Sequence, residues 1–217
     1  MDYPGKIAAV VFCGGCNFNC WYCHNRHILH GYDAIDEREV FSFLEKRKGQ
    51  IDAVVFSGGE ATLQKDLAEQ MRRVKDMGYL VKLDTNGANP KVLSALIGAG
   101  LPDYVAMDIK APFARYKETT GVAADIAAVQ KSVSILTGGQ TEYEFRTTCV
   151  PQFAPEDIES IAKEIAGARL YALQQYRHTD TEHKISPIRL APHERAFFDE
   201  SRRLARKHIE NVVIRGI

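Results

Sequence analysis

The sequence predicts an α/β fold, a partial TIM-like (β/α)6 barrel whose parallel strands are ringed by outer helices. Three observations carry this: six apolar or β-branched runs of strand length, helical segments between successive runs, and polar clusters where the runs end. Continuous apolar runs suit parallel strands covered on both faces. Strict β–α alternation joins such strands by right-handed crossovers. Eight units usually need about 250 residues. With 217 residues and six countable units, an open barrel suits the chain better than a closed one, and a flat doubly wound sheet is the structural alternative. No linker, low-complexity tract or repeat beyond the βα unit is evident, so residues 1–217 are expected to form one domain.

In chain order, strands are expected over residues 7–12, 53–57, 80–85, 104–109, 143–148 and 170–175. Asp36 with Glu39 reads as a capping box opening a helix to about Lys48, with Gly49 as its stop. Residues 63–77 place Leu63, Leu67, Met71, Val74 and Met77 on one stripe, closed by Gly78. Pro90 opens the next helix, which runs to Ala99 before Gly100. Further helices are expected over 123–137, 155–166 and 192–208, and the apolar tail 212–214 is ambiguous.

Composition narrows the function classes. Lys+Arg 28 against Asp+Glu 28 gives zero net charge, with 45% hydrophobic and 26% charged residues, as in an ordinary soluble globular protein. A domain of this size buries roughly 70% of its unfolded surface, enough for a core without staples. No window approaches the ~20 apolar residues of a membrane span, and residues 1–6 lack a signal-peptide pattern, so a cytoplasmic protein without a membrane role is expected. Zero charge argues against bulk nucleic-acid binding, which needs a basic surplus, though a local basic patch stays open.

Cysteine is the informative residue. Of five, Cys13, Cys16, Cys20 and Cys23 lie within 11 positions and Cys149 stands apart. Without a secretion signal, clustered thiols read first as metal ligands rather than disulfides. The loop after the first strand contains C-x3-C-x2-C at Cys16, Cys20 and Cys23. Three thiolates on one flexible loop can hold three irons of a 4Fe–4S cube, leaving the fourth iron a free position. Zinc competes, since Cys20-x2-Cys23 with Cys16 and His24 or His27 would complete a Cys3His tetrahedron. No second knuckle follows, and spacing alone leaves cluster and zinc evenly matched.

The other strand ends are also polar. Ser57-Gly58-Gly59-Glu60 follows the second strand: the glycines allow close backbone approach, and Glu60 offers an acceptor to a cationic group. Asp84-Thr85-Asn86-Gly87 ends the third. Asp108 and Lys110 end the fourth, two apart and therefore on one face; they read as a salt bridge or as a polar shelf for a ligand. Arg146 ends the fifth, where it fits either a ligand carboxylate or a neighbouring acid. Gln174 and Gln175 end the sixth, able to hydrogen-bond an adenine edge or only to cap the strand. Turns unrelated to function would scatter over both ends of a barrel. These clusters all fall at the C-terminal ends, where (β/α) barrels build active sites.

The cysteine motif after a first strand, with Tyr22 before its last Cys and Gly58-Gly59-Glu60 in the next slot, resembles the radical S-adenosylmethionine (SAM) superfamily. Residues 55–64, 81–90, 103–112, 144–148 and 173–176 look like the short activating proteins of anaerobic ribonucleotide reductase, and Asp108-x-Lys110 is typical of glycyl-radical activases. Ala61 departs from the proline common after this motif, loosening the loop without removing the acceptor. The resemblance implies a 4Fe–4S cluster on Cys16, Cys20 and Cys23. It implies SAM contacts from Tyr22, Gly58, Gly59, Glu60, Asp84, Asn86, Asp108, Lys110, Arg146 and Gln174, with Gly58-Gly59-Glu60 on the amino group. A reduced cluster would cleave SAM to methionine and a 5′-deoxyadenosyl radical that abstracts hydrogen from its target. The implied partners are a low-potential donor of flavodoxin or ferredoxin type and a glycyl-radical enzyme. The alternative is a lyase acting on a small molecule such as a queuine-like nucleobase. A zinc-stabilised binding module is the third reading.

Other features carry less weight. His24, His27 and His30 are evenly spaced beyond the cysteines and read as loop packing or substrate contacts before ligands. His178 and His183 read as surface residues. Arg195, Arg202, Arg203, Arg206 and Lys207, interleaved with acids, read as a solvated helix face. Cys13 and Cys149 read as small buried hydrophobes, with substrate contact as the alternative.

Overall fold

The computed structural model describes residues 2–30, 33–139, 141–178 and 190–217; among them, seven parallel strands pair side by side in chain order. They are β1 (Ala8–Cys13), β2 (Ala53–Gly58), β3 (Leu80–Thr85), β4 (Tyr104–Asp108), β5 (Glu142–Cys149), β6 (Tyr171–Gln175) and β7 (Val212–Arg215). Between them run α1 (Glu37–Lys46), α2 (Leu67–Asp76), α3 (Pro90–Gly98), α4 (Tyr116–Thr120), α5 (Ile126–Thr137), α6 (Pro155–Glu164) and α7 (Arg195–Ala205). A doubly wound sheet needs a reversal of strand order, and this order never reverses. The open barrel is therefore the architecture, with β1 and β7 as its edges. No helix among the described residues is long and apolar enough to cross a membrane.

Two expectations need correction. The count of six strands becomes seven, because the ambiguous tail pairs with β6 from Tyr171↔Val212 to Gln174↔Arg215. The helix expected from Leu63 begins at Leu67. A 3-10 turn over Ala61–Leu63 precedes it, capped by the Glu60 side chain, and Gln64 is extended. Leu63 accordingly leaves the apolar stripe and is exposed. Elsewhere the ends differ by a few residues. The Asp36 cap is its carboxylate accepting from the Arg38 N–H at 2.7 Å, and the last long helix starts at Arg195 rather than Pro192. His183 lies outside the described residues.

Side chains alternate across each strand, and the two faces differ in chemistry. Outward, Val54, Phe56, Leu83, Val105, Met107 and Phe145 pack against Leu67, Met71, Leu93, Val129, Ile158 and Phe198 of the helices. Each fully buried side chain of this kind contributes about 1.5–3 kcal/mol. Inward, a small apolar floor of Tyr3, Ala53 and Val55 is flanked by Ala8, Val10, Leu80 and Tyr104. Above it the interior is charged. Arg215 reaches from β7 to Glu144 on β5 with bonds of 2.9 and 2.6 Å, and the Tyr104 hydroxyl donates to the same carboxylate at 3.2 Å. Glu144 is 1% exposed, so its charge depends on these partners.

Removing one side of that pair should show its cost. Arg215→Ala should destabilise the protein by about 3 kcal/mol in urea unfolding, because it strands a buried carboxylate. Combining it with Glu144→Leu should restore most of the loss. A second test concerns Glu164, whose carboxylate accepts the Phe113 N–H at 3.0 Å and which burial raises to about 7. Between about pH 4.5 and 7 the folded protein holds a proton that the unfolded chain has released, so stability falls as pH rises through that window. Glu164→Gln should therefore gain melting temperature relative to wild type between pH 5 and 8, and parallel profiles would contradict this.

Candidate functional site

Backbone contacts hold the cysteine loop before any ligand is considered. The Gly59 and Glu60 N–H groups donate to the Cys13 and Gly15 carbonyls at 2.8 and 2.9 Å. Gln64 donates to the Gly14 carbonyl at 2.8 Å, and Asn25 to that of Gly58 at 2.9 Å. On the far side the Asn19 N–H donates to the Thr120 carbonyl at 2.8 Å. A Cβ on Gly59 would sit 1.9 Å from the Gly15 oxygen, and one on Gly58 2.5 Å from the Cys13 backbone. Gly58 also has φ +112. What these glycines admit is the chain's own cysteine loop.

The loop and the strand ends enclose one cavity of about 210 Å³. Cys16, Cys20, Tyr22 and Cys23 line one side; Gly58, Gly59, Asp84, Asn86, Asp108, Lys110 and Arg146 line the other. Two expected residues do not reach it. Gln174 is half-buried on β6, in register with Thr148 and Arg215. Glu60 is fully buried and its carboxylate is consumed by protein donors: one oxygen takes the Thr62 N–H (3.1 Å), the Thr62 hydroxyl (2.5 Å) and the Thr85 hydroxyl (2.7 Å), the other the Asn86 N–H (2.7 Å). The Glu60 carboxylate thus meets protein donors rather than the cavity. It is a hub that fixes the β2 and β3 ends. Burial pushes its pKa up while the four donors pull it back.

The charged wall is a chain of ion pairs. Asp108 meets Arg146 Nε at 2.7 Å and Lys110 Nζ at 2.9 Å. Arg146 continues to Asp84 at 3.4 Å, and Asp84 takes the Ser57 hydroxyl at 3.0 Å and buried Lys82 at 2.5 Å. Burial alone would raise Asp108, but Arg146 and Lys110 overcome it and hold the carboxyl well below its usual range. Asp108 raises both cations in return, against their own burial. For Lys82 burial wins over Asp84 and the pKa falls. The Asp108–Lys110 pair is thus both a salt bridge and part of the cavity wall. Where the layer faces the cavity, Lys110 and Arg146 balance Asp84 and Asp108, while Lys82 is fully buried behind them.

Sequence reasoning missed Ser57, Thr85 and Thr148, along with Phe18, Asn25 and Leu29 of the loop, all of which line the cavity. Period-two alternation was the available signal: Ser57 continues the inward series from Ala53 and Val55 on β2, and Thr148 follows two residues after Arg146 on β5. Of the three loop histidines, all exposed, His24 lines the cavity. Cys13 and Cys149 lie outside its lining; burial pushes both thiols up, Cys13 to about 12. Arg195, Arg202 and Arg203 pair with Asp199 and Glu200, and Lys207 with Glu159, as a solvated face does.

The residues fit a thiolate-held cluster. Three cysteines face one cavity, and the Tyr22 hydroxyl is buried there without a hydrogen-bond partner among the described residues. A cube spreads its cysteines over separate irons. The arrangement defines an enzyme site that pairs a soft-metal cluster with a charged small ligand.

Comparison with known proteins assigns the family. The profile described as the Radical SAM superfamily matches residues 10–165. A Methanocaldococcus jannaschii protein named "Putative glycyl-radical enzyme activating enzyme" is 40% identical over 100% of this chain and 92% of its own. A 7-carboxy-7-deazaguanine synthase of Thermoplasma acidophilum is 27% identical over 76% of this chain and 82% of its own. Among solved structures, Streptococcus suis SuiB bound to its precursor peptide SuiA has a TM-score of 0.77 at 13% identity; this chain is covered in full and spans 50% of SuiB. The chain belongs to the radical SAM superfamily, whose cofactors are a 4Fe–4S cluster and SAM.

Gly59→Ala tests the loop's footing. It should cut iron bound on anaerobic reconstitution to less than half of wild type while the protein stays folded by circular dichroism. Full iron loading would show that the close backbone contact is dispensable.

Proposed function

We propose that this chain is a cytoplasmic, single-domain activase spanning residues 1–217 that installs a radical on a glycine of a partner glycyl-radical enzyme of the anaerobic ribonucleotide reductase type. The observation that carries the reading is the shared cavity, with three cysteines on one wall and paired strand-end charges on the other. The near full-length likeness to the M. jannaschii relative supports it. Cys16, Cys20 and Cys23 would hold the cluster. Asp84, Asn86, Asp108, Lys110 and Arg146 would receive the polar parts of SAM beside Gly58 and Gly59. Tyr22 and Leu29, both buried, keep water from the cysteines. When bound and reduced by a flavodoxin- or ferredoxin-type donor, the cluster supplies the electron that splits SAM into methionine and a hydrogen-abstracting 5′-deoxyadenosyl radical.

A second reading, a lyase acting on a small molecule such as a modified nucleobase, is favoured by the likeness to the T. acidophilum synthase. One set of experiments separates the readings. Anaerobic reconstitution should give about four irons per chain and 5′-deoxyadenosine from SAM, both lost on single Ala substitution of Cys16, Cys20 or Cys23. With a partner glycyl-radical enzyme, electron paramagnetic resonance should show a glycyl radical. Turnover of a small molecule with no protein radical would favour the lyase, and zinc without SAM cleavage would overturn both.

A further inference from the structure

The three candidate ligands are not equivalent in what the protein offers their sulfurs. Cys16 Sγ lies 3.4 Å from the Phe18 backbone N–H and 3.9 Å from the Asn86 side-chain nitrogen. Among the described residues no such donor reaches Cys20 or Cys23. The Asn86 side chain is also locked in orientation. Its Oδ1 accepts the Ala88 N–H at 2.9 Å, so its Nδ2 is the end that faces the cysteine loop. One Nδ2 hydrogen goes to Asn17 Oδ1 at 2.8 Å, which leaves the other for the Cys16 sulfur. Behind this, the Asn86 N–H is held at 2.7 Å by the buried Glu60 carboxylate. A chain of contacts thus runs from Glu60 through Asn86 to a single sulfur.

An N–H donor on a ligating thiolate draws electron density from it and stabilises the more negative, reduced cluster; hydrogen bonds to the sulfurs are among the main settings of such potentials. We propose that Asn86, fixed by Glu60, is a positioning residue that raises the reduction potential of the cluster through Cys16. This rests on the cluster reading above, and gives Asn86 a role toward the cysteine in addition to its place in the cavity wall. Glu60 acts at a distance, by holding one amide in place.

The test uses the reconstituted full chain without SAM, comparing wild type with Asn86→Asp and Asn86→Ala. Iron content is measured first, then the midpoint potential by titration monitored with electron paramagnetic resonance. Asn86→Asp keeps the acceptor for Ala88 but sets a negative charge beside the sulfur, and Asn86→Ala only removes the donor. Both should bind iron like wild type and show more negative midpoints, the Asp variant by the larger shift. Unchanged or more positive midpoints in fully loaded variants would overturn the proposal. So would loss of iron from both variants at unchanged apo-protein melting temperature, since the donor would then serve retention rather than potential. If wild type itself holds no iron, the cluster reading fails too, and iron analysis distinguishes that result from the others.

Discussion

The site depends on a contact made without side chains. Gly58 and Gly59 let the backbone of β2 press against residues 13–15, at separations that any Cβ would violate. Two N–H groups of the glycine segment donate across that contact, so the loop bearing the cysteines is fastened to the sheet rather than suspended above it. Everything else follows from where this puts the thiols. They stand over the C-terminal ends of β2 to β5, where the charged residues of those strands face them across the cavity.

The barrel interior is unusual in how little of it is apolar. Above the floor of Tyr3, Ala53 and Val55, the space is filled by Lys82, Asp84, Glu144, Arg146, Asp108 and Arg215 in mutual contact. Buried ions stabilise little compared with well-packed hydrophobic residues. Their value here is directional. Asp84 and Asp108 are held in place by partners on three different strands, so the wall of the cavity is fixed before a ligand arrives.

Much of this was legible in the sequence. The six longer strands announced themselves as apolar runs because their outer face is covered by helices, and the cysteine spacing and strand-end polarity pointed to the cavity. Three features were hidden for physical reasons. β7 has four residues, too few for periodicity to speak, and it is held partly by the Arg215–Glu144 pair, which joins positions far apart in the chain. The turn at Ala61–Leu63 continues an apolar helical stripe by letter, but Glu60 caps it separately. Glu60 itself read as a ligand acceptor because a sequence shows which groups can accept, not which donors have already reached them. Gln174 differs in the opposite way: it has the right strand end, but it lies outside the cavity lining.

The strictly sequential order of the strands also bears on how the molecule is made. Each strand pairs with its successor, so a chain emerging from the ribosome N-terminus first can add one ribbon at a time without waiting for distant segments. The cysteine loop meets its glycine platform once residue 59 is out, long before Arg146 is synthesised. The thiols are therefore gathered early, while the electrostatic wall opposite them is finished only with β5.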